Sequence, residues 1–575
     1  MIHTPLDEST KIIIRKYSVK NAVDYGKADI GSVIGKIIPF AKGVPVAQLK
    51  VEVKAIVDAV NRMDKAALDA EYSQFRKEFE QRAVETAKKT AKPRMQLEGA
   101  REGDFIARFS PEPSGYMHIG HAKQSLLSSE FAKIYKGKLY LYFDDTNPEK
   151  CSQEYVDAIK RDAAWLGLEF DMEYYASDNI DRIYVYARQL LMGNSAYVCM
   201  CDRDEIKSKR FAGIACIHRV QDAAKNLSLF EAMLGGKMEE GAAVVRLKGD
   251  MGAQNTVLRD PAMLRIVKKT HYRQKDKYSV WPVYDFNTPI LDSINGITDI
   301  IRSKEYELRD ELSKLILDTL GLRVPRMHLE ARLNIKGNET HKRVIRKLIS
   351  DGVVEGWDDP RLLTIMALRR RGIQPGAIKE FVLRSGMSKT DGVAEMSALL
   401  SENKKIIDPV ARHFFFVPDP VKLVVSGAGH QKAEMRLHPA NELGFRTYVT
   451  GDTFYIGRED SISAKQGESI RLKDLVDVVI DEKGKEIHAH KSQSQLQGRV
   501  IQWVADGSST ECTVLVPGNL VDDSGKLNKN SLTTIRGYAE NAVSALEEGA
   551  IVQFERFGYC ILDKKDAMQF IFISK

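Results

Sequence analysis

The stretch FSPEPSGYMHIGHAK, residues 109–123, decides how this chain is read. Before it, DFIARF (104–109) is a short apolar run suited to a buried strand, and within it Pro111, Pro113 and Gly115 impose a turn. After it, HAKQSLLSSEFAKIYKG (121–137) carries apolar residues at helical spacing, and KLYLYFDD (138–145) is a second apolar run. Strand, turn, helix, strand is one βαβ unit of a parallel sheet. Such sheets bind ligands at the carboxyl ends of their strands, which is where Asp144 and Asp145 fall. His118 and His121 lie three apart, on one face of the helix's first turn. A helix N-terminus attracts phosphate through its free N–H groups and dipole, and two imidazoles there can hydrogen-bond a polyphosphate. A chance HxGH on an amphipathic helix has the same letters; the strand–turn–helix setting separates the two.

Working outward, PVYDFNTPILDSINGITDIIRS (282–303) supplies further strand and helix signal, and the stretch between reads as an inserted domain. Upstream, KAALDAEYSQFRKEFEQRAVETAKK (65–89) places apolar residues at helical spacing among dense charges, so residues 1–97 form a helical module. Pro93, Gly99 and Gly103 mark the linker that follows. Downstream, residues 345–405 are helical, with LLTIMALRRRG as the clearest piece. After Asp408, short β-branched runs such as RTYVTGDTFYIGRED and GRVIQWVADG, separated by glycine, read as β-barrel modules. The expected divisions are 1–97, 98–195, 196–280, 281–350, 351–410 and 411–575, in a multidomain α/β chain.

Composition excludes several classes. At 43% hydrophobic and 29% charged the chain is neither fibrous nor wholly disordered. No apolar run approaches the roughly 18 residues of a membrane helix, and MIHTPLDESTK has no secretory pattern, so a cytoplasmic protein with no membrane partner is expected. The net charge of +7 over 575 residues is too mild to argue for or against nucleic acid. Six cysteines make no disulfide framework in so long a chain, but their distribution is uneven. Cys199-Met-Cys201 and Cys216-Ile-His218 form two short knuckles, and three thiolates with one imidazole suit closed tetrahedral zinc. The spacing is not the usual CxxC, so from the residues alone a group of buried free thiols stands equally. Cys151, Cys512 and Cys560 are isolated and read as structural.

MHIGH at 117–121 resembles the HIGH signature of class I aminoacyl-tRNA synthetases. RFSPEPSGYMHIGHAK (108–123), FDDTNPEK (143–150), VYDFNTPILDSINGITDIIRSKEYELRD (283–310) and GWDDPRLLTIMALRRRGI (356–373) resemble its glutamyl/glutaminyl branch, in the archaeal/eukaryotic type of glutamyl enzyme. The resemblance implies a Rossmann-like catalytic domain in two halves, 98–195 and 281–350, around an acceptor-binding insertion at 196–280. It further implies a helical stem-contact region at 351–410 containing Asp358, Asp359 and Arg361, and two β-barrel anticodon-binding domains over 411–575. It turns the Cys199, Cys201, Cys216, His218 cluster into an expected structural zinc site.

Members of this class carry a second motif, KMSKS, whose lysine steadies the triphosphate. Met387-Ser388-Lys389-Thr390 matches the letters; Thr340-His341-Lys342-Arg343 matches the order, because in this branch the motif precedes GWDDPR. Order is preferred, which gives Lys342 the role, makes His341 a departure from the family's serine, and leaves MSKT as a helix terminus. The residues implied for ATP are His118, Gly120, His121, Lys342 and Arg343, with His118, His121 and Lys342 catalytic.

For the amino acid, a buried side-chain carboxylate needs a cationic partner, and arginine offers planar, bidentate recognition. Arg302 stands where glutamyl enzymes resemble one another in having arginine, and the turn reads PEPSG, the glutamyl form. By resemblance Arg108, Ser110 and Tyr284 help hold glutamate, with Asp144 on its α-ammonium; Tyr142 departs from the branch's arginine. The expected function is ATP- and Mg2+-dependent ligation of L-glutamate to tRNA(Glu), leaving open tRNA(Gln) as a second acceptor and residues 1–97 as a seat for a protein partner. The alternatives are a glutaminyl enzyme of the same architecture, a coenzyme-forming HxGH nucleotidyltransferase, and a silent tRNA-binding paralogue.

Overall fold

In the computed structural model, residues 7–37, 46–90, 95–493, 498–522 and 524–575 are described. Pro93, read as part of the linker, lies outside them; Gly99 and Gly103 both take left-handed backbone, with φ of 74° and 79°. Contacts divide the chain into two units, Met1–Pro93 and Arg94–Lys575.

The first unit is helical: Glu8–Tyr25, Ile30–Ile37, Val46–Val60 and Lys65–Thr90. Asp7 caps the first helix by accepting from Thr10 N–H at 2.6 Å, and Gly26 ends it in left-handed conformation. Ile14, Val19, Val33, Ile37, Val53, Val57 and Val60 form its core. The long last helix keeps a solvated face and pairs Glu71 with Arg15 and Glu78 with Lys16.

In the second unit, the strand Ile106–Phe109 runs parallel to Lys138–Phe143, which runs parallel to Met172–Tyr175. The helix Ile119–Ile134 crosses between the first two and buries Leu126, Leu127 and Phe131 against them. A second parallel pair, Asp299–Ser303 with Arg326–Glu330, lies beside the first strand, where Thr298 N–H donates to Ile106 O at 2.9 Å. Between Met172–Tyr175 and Asp299–Ser303 the chain builds a separate antiparallel sheet of Ala196–Cys199, Val244–Leu247, Ala262–Ile266 and Val280–Pro282.

The helices Lys342–Ser350, Ile365–Arg370, Pro375–Ser385 and Met396–Ile407 follow. Among the described residues the C-terminal β region has two seven-stranded sheets, whose connectivity is not sequential, and a two-stranded antiparallel pair, Gln431–Arg436 with Phe445–Thr450. Strands Arg412–Phe414 and Phe416–Pro418 join strands from 509–574 in one sheet, while 420–505 supply the other. In the basic run Arg369-Arg370-Arg371, Arg369 is exposed, but Arg370 grips Asp563 at 2.8 and 2.9 Å and Arg371 is buried against the C-terminal strand. Asp359 and Arg361 are likewise turned inward, as a buried pair at 2.7 Å that also reaches Ser531. Their side chains do not offer themselves to a tRNA stem; Asp358 does remain partly exposed. Among the described residues, no helix is long and apolar enough to cross a membrane.

Candidate active site and metal centre

His118 is the cap of the Ile119–Ile134 helix. Its Nδ1 accepts from Gly120 N–H at 3.1 Å, and His121 Nδ1 accepts from His118 N–H at 3.1 Å. The two imidazoles thus fill the reciprocal roles that Ser and Glu play in a capping box. Since each Nδ1 accepts a backbone proton, a neutral ring must carry its own proton at Nε2. Burial, aided by the Lys342 charge, pushes His118 down to about 3. Burial, with His118 and Lys342 beside it, holds His121 well below the usual imidazole range. Both rings are therefore neutral at physiological pH, with Nε2–H as the donor of each, and their centroids lie 3.9 Å apart. Gly120 is required by this arrangement: a Cβ there would lie 2.8 Å from His118 Cε1.

Lys342 arrives from the far side as the first residue of the Lys342–Ser350 helix. Its Nζ donates to Ser114 Oγ at 3.2 Å, and Ser114 Oγ donates to Glu112 at 2.7 Å. Arg346 adds a bond to Ser114 O at 2.8 Å. A Cβ on Gly115 would lie 2.9 Å from Lys342 Cδ, so that glycine makes room for the lysine stem. Burial lowers the Lys342 ammonium from its ordinary value, with Glu112 opposing. His341 donates through Nδ1 to Glu339 at 2.5 Å, and its Nε2 accepts from Arg332 at 3.2 Å. Arg343 is exposed and takes no part in this group. The rival Lys389 is 61% exposed and pairs with Glu307 at 3.7 Å.

The residues expected to hold an amino acid gather at the neighbouring strand ends. Arg108 is fully buried and grips both oxygens of Asp292 at 3.1 to 3.3 Å. Asp144 accepts from Asn287 Nδ2 at 3.0 Å, and its carboxyl is pushed up to about 7, chiefly by burial. Asn287 also donates to Tyr142 OH at 2.8 Å. Tyr142, fully buried, stacks on Tyr174 with centroids 4.7 Å apart. The Ser110 hydroxyl is buried without a partner. Tyr284 begins the Tyr284–Ile294 helix, 5.6 Å from the Tyr306 ring. Arg302, 5% exposed at the end of its strand, forms an ion pair with Asp310, and its guanidinium lies 5.7 Å from the Tyr306 ring. Asp145 is used elsewhere, accepting from Ser177 and from Tyr272 OH at 2.8 Å.

Sequence reasoning missed Ser114, Asn287, Asp292, Tyr306 and Asp310. Tyr284, Asn287 and Asp292 fall at helical spacing, a signal that could have found the last two. Nothing local connects Ser114 to Lys342, 228 residues on.

In the inserted sheet, Cys199, Cys201, Cys216 and His218 bring one donor atom each within 4.8 Å of one another. Sulfur–sulfur distances of 3.3 and 3.5 Å and a Cys201–His218 Nδ1 distance of 3.5 Å compare with about 3.7 Å for the edge of a zinc–thiolate tetrahedron. The three cysteines are buried and free, as are Cys151, Cys512 and Cys560. The donor set fits a closed zinc site.

A parallel sheet with two neutral imidazoles capping its first helix, a lysine delivered from the opposite side and buried arginines at the adjoining strand ends gathers its polar side chains at the carboxyl ends of the strands, where enzymes of this α/β class bind their ligands. Residues 105–409 match the model for tRNA synthetases class I (E and Q), catalytic domain. Residues 411–496 and 500–563 match two anti-codon binding domain models of the same class. The chain belongs to the class I glutamyl/glutaminyl tRNA synthetase family. It is 38% identical to a glutamate--tRNA ligase of Nitrosopumilus maritimus, with 99% of this chain and all of that one covered. It is 36% identical to a glutamate--tRNA ligase of Korarchaeum cryptofilum, covering 98% and 99% of the two chains. With a glutamate--tRNA ligase of Pyrococcus furiosus it shares 37% identity over 96% of each chain.

Proposed function

We propose that this chain activates L-glutamate with ATP and transfers it to tRNA(Glu). The α-carboxylate of glutamate attacks the α-phosphorus of ATP and pyrophosphate leaves, giving glutamyl-adenylate. The 3′-terminal adenosine hydroxyl of the tRNA then attacks the adenylate carbonyl, and AMP leaves. The work asked of the protein is positioning and charge stabilisation. Nε2–H of His118 and His121 donate to phosphate oxygens, and the Lys342 ammonium meets the charge that develops as pyrophosphate departs. Mg2+, bound with ATP, would neutralise part of the triphosphate charge. Asp144 takes the α-ammonium, while Ser110 and Tyr284 line the site beside Arg108.

The observation that carries glutamate over other acids is Arg302: a buried guanidinium whose Nε has no acceptor, one side chain from Tyr284 and Tyr306. Residues 411–575 read the anticodon, and Zn2+ held by Cys199, Cys201, Cys216 and His218 supports the insertion at 196–280 as it receives the acceptor end. The enzyme works in the cytoplasm, and residues 1–97 provide the surface for a protein partner. Pyrophosphate exchange with glutamate and with glutamine, each with and without tRNA, tests the reading. Exchange with glutamate in the presence of tRNA is expected; exchange with glutamine alone, or with neither, refutes it. Charging of purified tRNA(Glu) and tRNA(Gln) in the same preparation decides whether the second is also an acceptor.

A further inference from the structure

The two arginines at the amino-acid end are neutralised in different ways. Arg108 is locked to Asp292 by three contacts, and both side chains are 1% exposed. Arg302 pairs instead with Asp310, whose side chain is 23% exposed. Arg302 Nη2 and Asp310 Oδ1 face each other directly, and Arg302 Nε is buried without a hydrogen-bond partner. A guanidinium offers five N–H donors, and leaving them unused in a buried site is costly. Arg302 is therefore charge-balanced, while its Nε still lacks an acceptor.

We propose that Asp310 sets the side-chain specificity of the site. It supplies enough negative charge to temper Arg302, so that the pocket's preference for a carboxylate over a carboxamide is weaker than a lone arginine would give. This rests on the reading of Arg302 as the partner of the substrate side chain. A glutamate carboxylate approaching Arg302 meets the like charge of Asp310 and must displace it; a glutamine carboxamide meets no such repulsion. Partial exposure gives Asp310 somewhere to go, which Asp292 lacks. A purely structural account is that Asp310 complements the dipole in the first turn of the Glu307–Leu320 helix. Glu307 already serves that end, and Asp310 points at Arg302 while its neighbour Arg309 pairs with Asp285 at 2.6 Å.

The test is tRNA-dependent pyrophosphate exchange by the full chain with L-glutamate and L-glutamine, for the parent protein and for Asp310→Asn and Asp310→Glu, with thermal melts alongside. Asp310→Asn is expected to lower the glutamate KM about five-fold, on the scale of a partly exposed ion pair, with kcat little changed. The glutamate-to-glutamine ratio of kcat/KM should rise by the same factor, about five-fold, because the variant removes repulsion from one substrate only. Asp310→Glu should keep the parent ratio. If Asp310→Asn melts lower while both KM values and the ratio stay put, Asp310 is a helix residue and the proposal is wrong. Asp310→Ser is read the same way should Asp310→Asn fail to fold. A parent protein that exchanges with neither amino acid overturns the functional reading itself; a glutamate-active parent whose ratio ignores Asp310 overturns only its role.

Discussion

Gly120→Ala separates stability from catalysis in a single methyl group. The new Cβ would lie 2.8 Å from His118 Cε1 and 3.0 Å from its Nδ1, against ordinary contacts of 3.4–4 Å. The imidazole must therefore move by about 0.6 Å or more, and the 3.1 Å bond it accepts from residue 120 lengthens or breaks. Losing that cap costs about 1 kcal/mol. Alanine is better than glycine within a helix by nearly the same amount, about 0.8–1 kcal/mol. Backbone strain does not enter, because Gly120 is not among the residues with positive φ. The two contributions nearly cancel, so the melting temperature should shift by no more than a few degrees. The displaced imidazole is another matter, since a misplacement of order 1 Å costs about 10²-fold in rate. Pyrophosphate exchange at saturating glutamate, with ATP varied, should show kcat/KM for ATP down by about that factor, while circular dichroism reports an intact fold. Parent-level activity in Gly120→Ala would refute the assignment of the His118 ring to the triphosphate.

Three other perturbations follow from the geometry. The buried Asp144 carboxyl, pushed up to about 7, is protonated below that pH and cannot then pair with an α-ammonium; kcat/KM for glutamate should rise with pH through about 7, and Asp144→Asn should flatten that limb at a lower level. Asp292→Ala leaves the Arg108 charge buried and unpaired, which should destabilise the fold by about 3–5 kcal/mol in urea unfolding, whereas Arg108→Met with Asp292→Leu should recover most of that loss while activity stays low. Purified protein should contain one zinc per chain by elemental analysis, and Cys216→Ser should lose it and melt earlier; a metal-free parent whose four-residue cluster reacts freely with thiol reagents would contradict the zinc assignment.

What the sequence made legible was local. The βαβ unit could be read because strand and helix periodicities differ, and because Asp144 follows directly from its strand. The His118–His121 pair could be read because capping links residues three apart. The C-terminal strands were equally visible as short alternating runs, but a run carries no information about its partner. Strands at 412–418 therefore pair with strands from 509–574, around a second sheet, and the periodicity gives no hint of it. Charge was the poorest guide. Arg370 and Arg371 sit in a basic run of the kind that is usually a solvated face, yet they are spent on Asp563 and the C-terminal strand. Asp292 and Arg108 are 184 residues apart, and neither has a local pattern to announce the other.

The two lysine motifs show why letters and position part company. Leu333–Ile335 and Gly392–Ala394 form a parallel pair. Thr340–Arg343 follows the carboxyl end of the first strand, whereas Met387–Thr390 precedes the amino end of the second. The loops thus leave the same small pair at opposite ends, although they are separated by only about fifty residues. Parallel α/β units present ligands to the carboxyl ends, so a lysine meant for a triphosphate belongs on the first loop, whatever its neighbours are. There Lys342 meets Ser114 and depresses both imidazoles electrostatically; Lys389 meets Glu307 and solvent. For an ammonium delivered by the first residue of a helix, the passage past Gly115 is what the structure fixes. The residues around the lysine are then free to drift, which is how His341 can stand in a serine's place, held by Glu339 and Arg332 instead.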